Sequence, residues 1–191
     1  MIDGFSRMTL AATTAVLVSL AAPASATVSR FLDIHEHTEL SQLVVRATTS
    51  SETRSFVGKD GIPRIETRFT VLETYKGSAQ QGASIWLRQF GGGEQLGMLP
   101  IVGDATFTPG EEVVLFLTTS EEGVVFLTAL SQSKFEVVRG DRLPIVTRNI
   151  GGLAFYQPGV KGGIFSITED APISLELFSQ TVREIATSPA P

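Results

Sequence analysis

The sequence contains no cysteine. That absence excludes disulfides, thiolate metal centres, a cysteine nucleophile and a lipid-modified cysteine anchor, so the folded chain must be held by its core alone. Histidine is almost missing too: His35 and His37 are the two examples, and imidazole chemistry is confined to one tripeptide. Charged residues make up 18% of the chain, gather into no Lys/Arg run, and sum to a net charge of -5. An acidic chain without a basic run makes nucleic acid and anionic membranes poor partners.

Catalytic signatures are missing as well. There is no G-x-S-x-G elbow, S-x-x-K or H-E-x-x-H, and a Ser–His dyad has His35 or His37 alone to draw on. The stretch Gly91-Gly92-Gly93-Glu94-Gln95-Leu96-Gly97 matches neither dinucleotide nor P-loop spacing and is followed by no lysine. Its glycines read as a sharp turn or bulge at a strand end. The carboxylate pairs Glu111-Glu112, Glu121-Glu122 and Glu169-Asp170 sit beside turns and read as solvated strand ends. No cofactor is implied.

What the chain does have is β patterning. Its 191 residues, 42% of them apolar, suit one domain with a real core. Phe107 to Leu117 organises the rest: Pro109-Gly110 reads as a turn with φ > 0 at glycine, and Val113-Val114-Leu115-Phe116-Leu117 is an unbroken apolar run. A strand apolar on both faces must be covered on both faces, which predicts the central strand of a closed or double-layered β structure.

Strand signals recur on either side of that run. In Ile65 to Tyr75 the period of two puts Ile65, Thr67, Phe69, Val71 and Tyr75 on one face, with Glu73 as the outlier. Turn residues bound further strands at Val44–Phe56, Ala83–Phe90, Val124–Leu130, Lys134–Val138 and Leu143–Arg148. The spacing predicts a mainly β protein, an OB-like antiparallel barrel or a sandwich. A short N-terminal helix capped by Thr38, with Leu40, Leu43 and Val44 on one face, and a C-terminal helix capped by Ser174, running through Leu175, Phe178, Val182 and Ile185, complete the elements. The single domain is expected over 27–185, with a disordered tail at 186–191.

The first 26 residues read as an export signal. Arg7 precedes the uncharged Met8 to Ala22 stretch, and Ala24-Ser25-Ala26 is the small-x-small pattern of a cleavage site. The stretch is shorter than the ~20 apolar residues of a spanning helix. The mature chain is therefore expected in the periplasm or secreted, with no stable membrane span.

Two places could carry function. His35-x-His37, if extended, puts two imidazoles on one face and, with Glu36 or Glu39, could share a metal. Leu96, Met98 and Leu99 lie in the long, glycine-rich yet apolar connection from Gly91 to Phe107, as a barrel lid or a binding patch.

The segments ETRFTVLETYKG, PIVGDATFTPGEEVVLFL and LTALSQSKFEVV, with the strand ending in GGG, resemble a group of exported bacterial OB-like barrel proteins of uncharacterised role. Members share a strand ending in lysine-glycine, a glycine-rich turn, a Pro-x-Phe-x-x-Gly-Glu approach to a strand like VVLFL, and a Gly-Lys-Phe segment. The chain departs in having Ser133 before Lys134 and an insertion in PIVGDATF. The resemblance spans Val44 to Arg148 and implies an OB-like barrel, in some relatives beside secreted metalloproteases. It is also reminiscent of netrin-like and metalloprotease-inhibitor barrels, which are disulfide-rich where this chain has no cysteine.

The signal pattern, the continuous apolar strand and the missing catalytic sets predict a non-catalytic exported domain that binds a protein or envelope component. The alternative is a metal-dependent hydrolase using His35 and His37. N-terminal sequencing of envelope material tests the export step: the mature protein should begin at Thr27, and a chain that still begins at Met1 would contradict it.

Overall fold

The computed structural model describes residues 27–91, 101–140, 142–156, 163–165 and 171–188. Strand β1 (Thr27–Arg30) leads into helix α1 (Ile34–Leu40), followed by the long strands β2 (Leu43–Val57) and β3 (Pro63–Lys76), then β4 (Ser84–Phe90). After the connection come β5 (Glu112–Thr119), β6 (Val125–Leu127), a 3-10 turn (Leu130–Ser133), β7 (Lys134–Val138), β8 (Ile145–Thr147) and β9 (Leu153–Tyr156). Two-residue strands β10 (Ile164–Phe165) and β11 (Ile173–Ser174) precede helix α2 (Leu175–Thr187).

The chain is mainly β, and its larger sheet closes on itself. β2 pairs antiparallel with β3 and β5, β3 with β4, and β5 with β6, while β4 meets β6 in parallel at Leu87↔Val125. Numbering the ring strands one to five, the order is 1-2-3-5-4-1 with the third and fifth parallel, the topology of a five-stranded OB barrel. β7 pairs with β5 beyond the ring, β8 with β7, and β11 with β8. A separate small sheet has the order β1-β9-β10.

β5 behaves as its composition requires. Val113, Leu115 and Leu117 point into the barrel with Val45, Ala47, Phe69, Val71, Ile85 and Leu87. Val114 and Phe116 point outward into a second cluster with Val44, Phe135, Val137, Val146, Phe178 and Val182. All five residues of the run are fully buried. The outer cluster exists because α2 is amphipathic: Leu175, Phe178 and Val182 recur at helical spacing and pack with Val114 and Phe116, joined by Ile173 from β11. Ser174 caps that helix as expected, accepting a hydrogen bond from Leu177 N–H at 3.2 Å.

The turns obey their residues too. Gly110 takes φ +84°, and Glu111 N–H bonds the Thr108 carbonyl at 3.1 Å, closing the Pro109-Gly110 turn. Asp60-Gly61 turns the β2–β3 hairpin, with Gly61 at φ +76°.

Four expectations need correcting. α1 begins at Ile34, because Asp33 and Glu36 form a reciprocal capping box; Thr38 sits inside the helix, bonding the Ile34 carbonyl, and Leu43 and Val44 already belong to β2. Tyr75 does not share a face with Phe69 and Val71. β3 carries extra residues where Arg46 pairs Glu73 but Ala47 pairs Val71, and each bulge reverses the phase of the residues beyond it. Tyr75 thus joins the outer cluster, and Glu73 faces outward between Arg46 and Arg183, 3.0 Å from Arg46 Nη2. β9 and β10 form in the glycine-rich stretch after Asn149, where no regular strand was expected. α2 continues two residues past Ile185, into the expected tail.

Truncating a ring that is 0% exposed removes transfer energy and leaves a cavity. Phe116→Ala should therefore cost about 3 to 5 kcal/mol, read as a lower denaturant midpoint at unchanged slope. A midpoint equal to wild type would show that the outer face of β5 is not packed.

Candidate functional site

The richest side-chain chemistry lies on the outer face of β2, β3 and β4, away from α2. The pleat alternates inward and outward residues, so Phe69 and Val71 enter the barrel while Arg64, Glu66 and Arg68 project outward. Register then assembles cross-strand rows: Arg54↔Glu66↔Arg88, Phe56↔Arg64↔Phe90 and Arg68↔Trp86. Four arginines and three aromatic rings interleave on one surface.

Their contacts are specific. The Arg54 guanidinium lies 3.6 Å from the centre of the Trp86 ring, Arg88 5.2 Å from Phe56 and Arg64 5.6 Å from Phe90, each within cation–π range. Glu66, 9% exposed, is the anchor. Arg88 donates to its Oε1 from Nε at 2.9 Å and Nη2 at 2.6 Å, and Arg54 Nε lies 3.5 Å from Oε2. A carboxylate this buried is tolerable because it is paired. Arg68 Nη2 meets Glu52 at 2.9 Å, and Arg64 is held by Asp60 through two hydrogen bonds.

Sequence reasoning missed this face because it sought a run of basic residues. Strands distribute a cluster over distant segments, and the available signal was an i, i+2 pairing of charge with charge or ring: Arg54-x-Phe56, Glu66-x-Arg68 and Trp86-x-Arg88.

The other predicted sites are placed differently. Leu96, Met98 and Leu99 lie outside the described residues. The described end of their connection folds over the barrel mouth, where Phe107 packs edge-on to Phe69 at 4.9 Å and Gln89 Nε2 bonds the Ala105 carbonyl at 2.8 Å. Lys134 ties this segment down through the Thr106 carbonyl at 2.7 Å and Glu111 at 3.0 Å. A mostly apolar cavity of about 430 Å³ lies here, with Ile65, Gln89 and Phe107 among its lining and Gly91 and Ile101, the neighbours of 92–100, on its rim.

His35 and His37 are helical rather than extended, and two positions on a helix are separated by about 200°. His35 is exposed beside Glu39 at 3.5 Å, whereas His37 is fully buried. The structure does not bring the two together. Among the described residues no group of three or more His, Asp or Glu could hold a metal.

His37 does contact a serine, with Nε2 3.2 Å from Ser133 Oγ. Ser133 Oγ also accepts from Ala129 N–H at 2.6 Å, so the serine links the imidazole to the backbone of the 3-10 turn. Both residues are 0% exposed, and the ring sits 5.2 Å from Phe116 and 6.5 Å from Phe135. A sealed pair offers a substrate no approach; this contact fastens α1 to the outer cluster.

Burial, reinforced by the charge of Arg148, lowers the His37 pKa to about 4, with backbone contacts to Leu32 and Asp33 pulling the other way. No protein-family model matches the chain, and none of the curated proteins matches it.

The His37 shift has a signed consequence. The unfolded imidazole binds a proton near pH 6.5 and the folded one near 4, so stability present above 6.5 is lost as pH falls to about 4. The loss approaches roughly 3 kcal/mol. Glu112, lowered first by its hydrogen bond to Arg139 and then, against burial, by Arg46, adds loss only below the ordinary carboxylate range. Denaturant midpoints between pH 7 and 4 should fall in wild type and stay flatter in His37→Gln. Parallel curves would contradict a buried neutral imidazole.

Proposed function

We propose that the protein is an exported, non-catalytic β-barrel domain that binds a protein or envelope component through the arginine–aromatic face of β2, β3 and β4. The N-terminal signal pattern supports export, and the row Arg54↔Glu66↔Arg88 with Trp86 beneath Arg54 is the observation that carries the binding role. Tryptophan and arginine supply large, preorganised contact area and planar donors, and both are enriched where binding energy concentrates. Here the chain's single tryptophan stands on the outer face of the barrel, not in its core.

The face is also built to hold its shape. Glu66 fixes Arg88 by two hydrogen bonds, and stacking limits the rotamers of Arg54, so less side-chain entropy remains to be lost on binding. Its position on the OB barrel agrees with the surface such barrels use, the sheet face formed by the second and third strands.

Arg54 is the residue to change, since its side chain is 54% exposed and its loss leaves the Glu66–Arg88 pair intact. Capture of components from envelope extract should fall roughly 30-fold in Arg54→Ala, the scale of a lost hot spot of about 2 kcal/mol. Its denaturation midpoint should remain near wild type. Equal capture by variant and wild type would contradict the reading.

A further inference from the structure

We infer that the partner of this face is an extended, carboxylate-bearing segment of another protein, an inference that rests on the binding role proposed above. The guanidinium groups are only partly used. Among the described residues Arg54 offers both terminal nitrogens, Arg88 its Nη1 and Arg68 its Nη1, while Arg68 Nε is buried without a hydrogen-bond partner. Arg54 thus keeps an open planar fork that matches a carboxylate in a pair of parallel hydrogen bonds, and Arg88 and Arg68 each keep one terminal nitrogen for a further charged hydrogen bond.

Spacing fits an extended chain. Arg54 and Arg88 stand on strands either side of β3, which separates their backbones by on the order of 10 Å. Arg68 lies two residues along β3 from Glu66, a step of about 7 Å. Carboxylates on alternate residues of an extended segment repeat at that same step of about 7 Å, so a short acidic strand reaches more than one guanidinium.

The balance of charge selects a protein segment over an anionic polymer. Arg54, Arg64, Arg68 and Arg88 stand against Glu52, Asp60 and Glu66, an excess of one positive charge. Polyanions such as nucleic acid bind through many uncompensated cations; this face has few. Its charged network contains arginine and no lysine, with tryptophan stacked under Arg54, which is the composition of protein interfaces.

Trp86 makes the test direct, because all tryptophan emission comes from this face. The mature protein is titrated at low salt with a synthetic peptide of alternating glutamate and threonine, and in parallel with polygalacturonate and a single-stranded oligonucleotide. The expected result is a saturable change in Trp86 emission with the peptide, weakened about tenfold or more in Arg54→Ala, incompletely restored in Arg54→Lys, and reduced by salt. A peptide response equal in wild type and Arg54→Ala would overturn the inference. So would an Arg54-dependent response to the polysaccharide or oligonucleotide without one to the peptide, although the face would remain a binding site. If no probe responds while envelope capture still depends on Arg54, the acidic-segment inference falls alone; if capture is Arg54-independent as well, the binding role falls with it.

Discussion

A strand that is apolar on both faces cannot be left with either face in water, and β5 sets that constraint for the whole chain. Five consecutive fully buried residues, Val113 to Leu117, form part of two cores at once. Closing the ring through β2, β3, β4 and β6 covers the inner face. Covering the outer one takes β7, β8 and α2, the last contributing Phe178 and Val182. Each elaboration beyond the five-stranded ring on this side arises from the unmet demand of Val114 and Phe116 for apolar neighbours.

The outside of the barrel is thereby divided. One side is closed by α2 and joined at its rim by a chain of ion pairs running Arg183, Glu73, Arg46, Glu112, Arg139. Its Arg46–Glu112 link is 2.6 Å long with side chains 19% and 16% exposed, so it is screened by water less than a surface pair. The other side needs no second core layer, because Phe69, Ile85 and Leu87 turn inward from β3 and β4 and its outward rings lie under guanidinium groups. Its outward positions are free to carry Arg54, Arg68, Trp86 and Arg88. The division of labour between a packed wall and a chemically varied one is a consequence of which strand is apolar twice.

Much of this was legible in the residues. The double apolar character of β5, the Pro109-Gly110 turn, the Ser174 cap and the bounds of β7 come from short-range chemistry and were read correctly. Sequence alone failed where long-range pairing decided the outcome. The bulges in β3 arise from its register against β2, and no local pattern around Glu73 announces that the phase reverses before Tyr75. β1, β9 and β10 are short strands that exist by pairing with each other around Phe31, Phe155 and Phe165. The binding face was hidden for the same reason: its arginines sit on three strands, and only register makes them neighbours.

The central claim is that β5 makes the barrel interior and the α2 layer one cooperative unit. Native-state hydrogen exchange tests it most directly, by comparing amides of Val113 to Leu117 with those of Phe178 to Val182 in α2. The account predicts that both sets exchange with the same free energy, equal to that of global unfolding. Exchange from α2 at much lower free energy, with β5 still fully protected, would contradict it, for the outer face of β5 would then be stable without its cover.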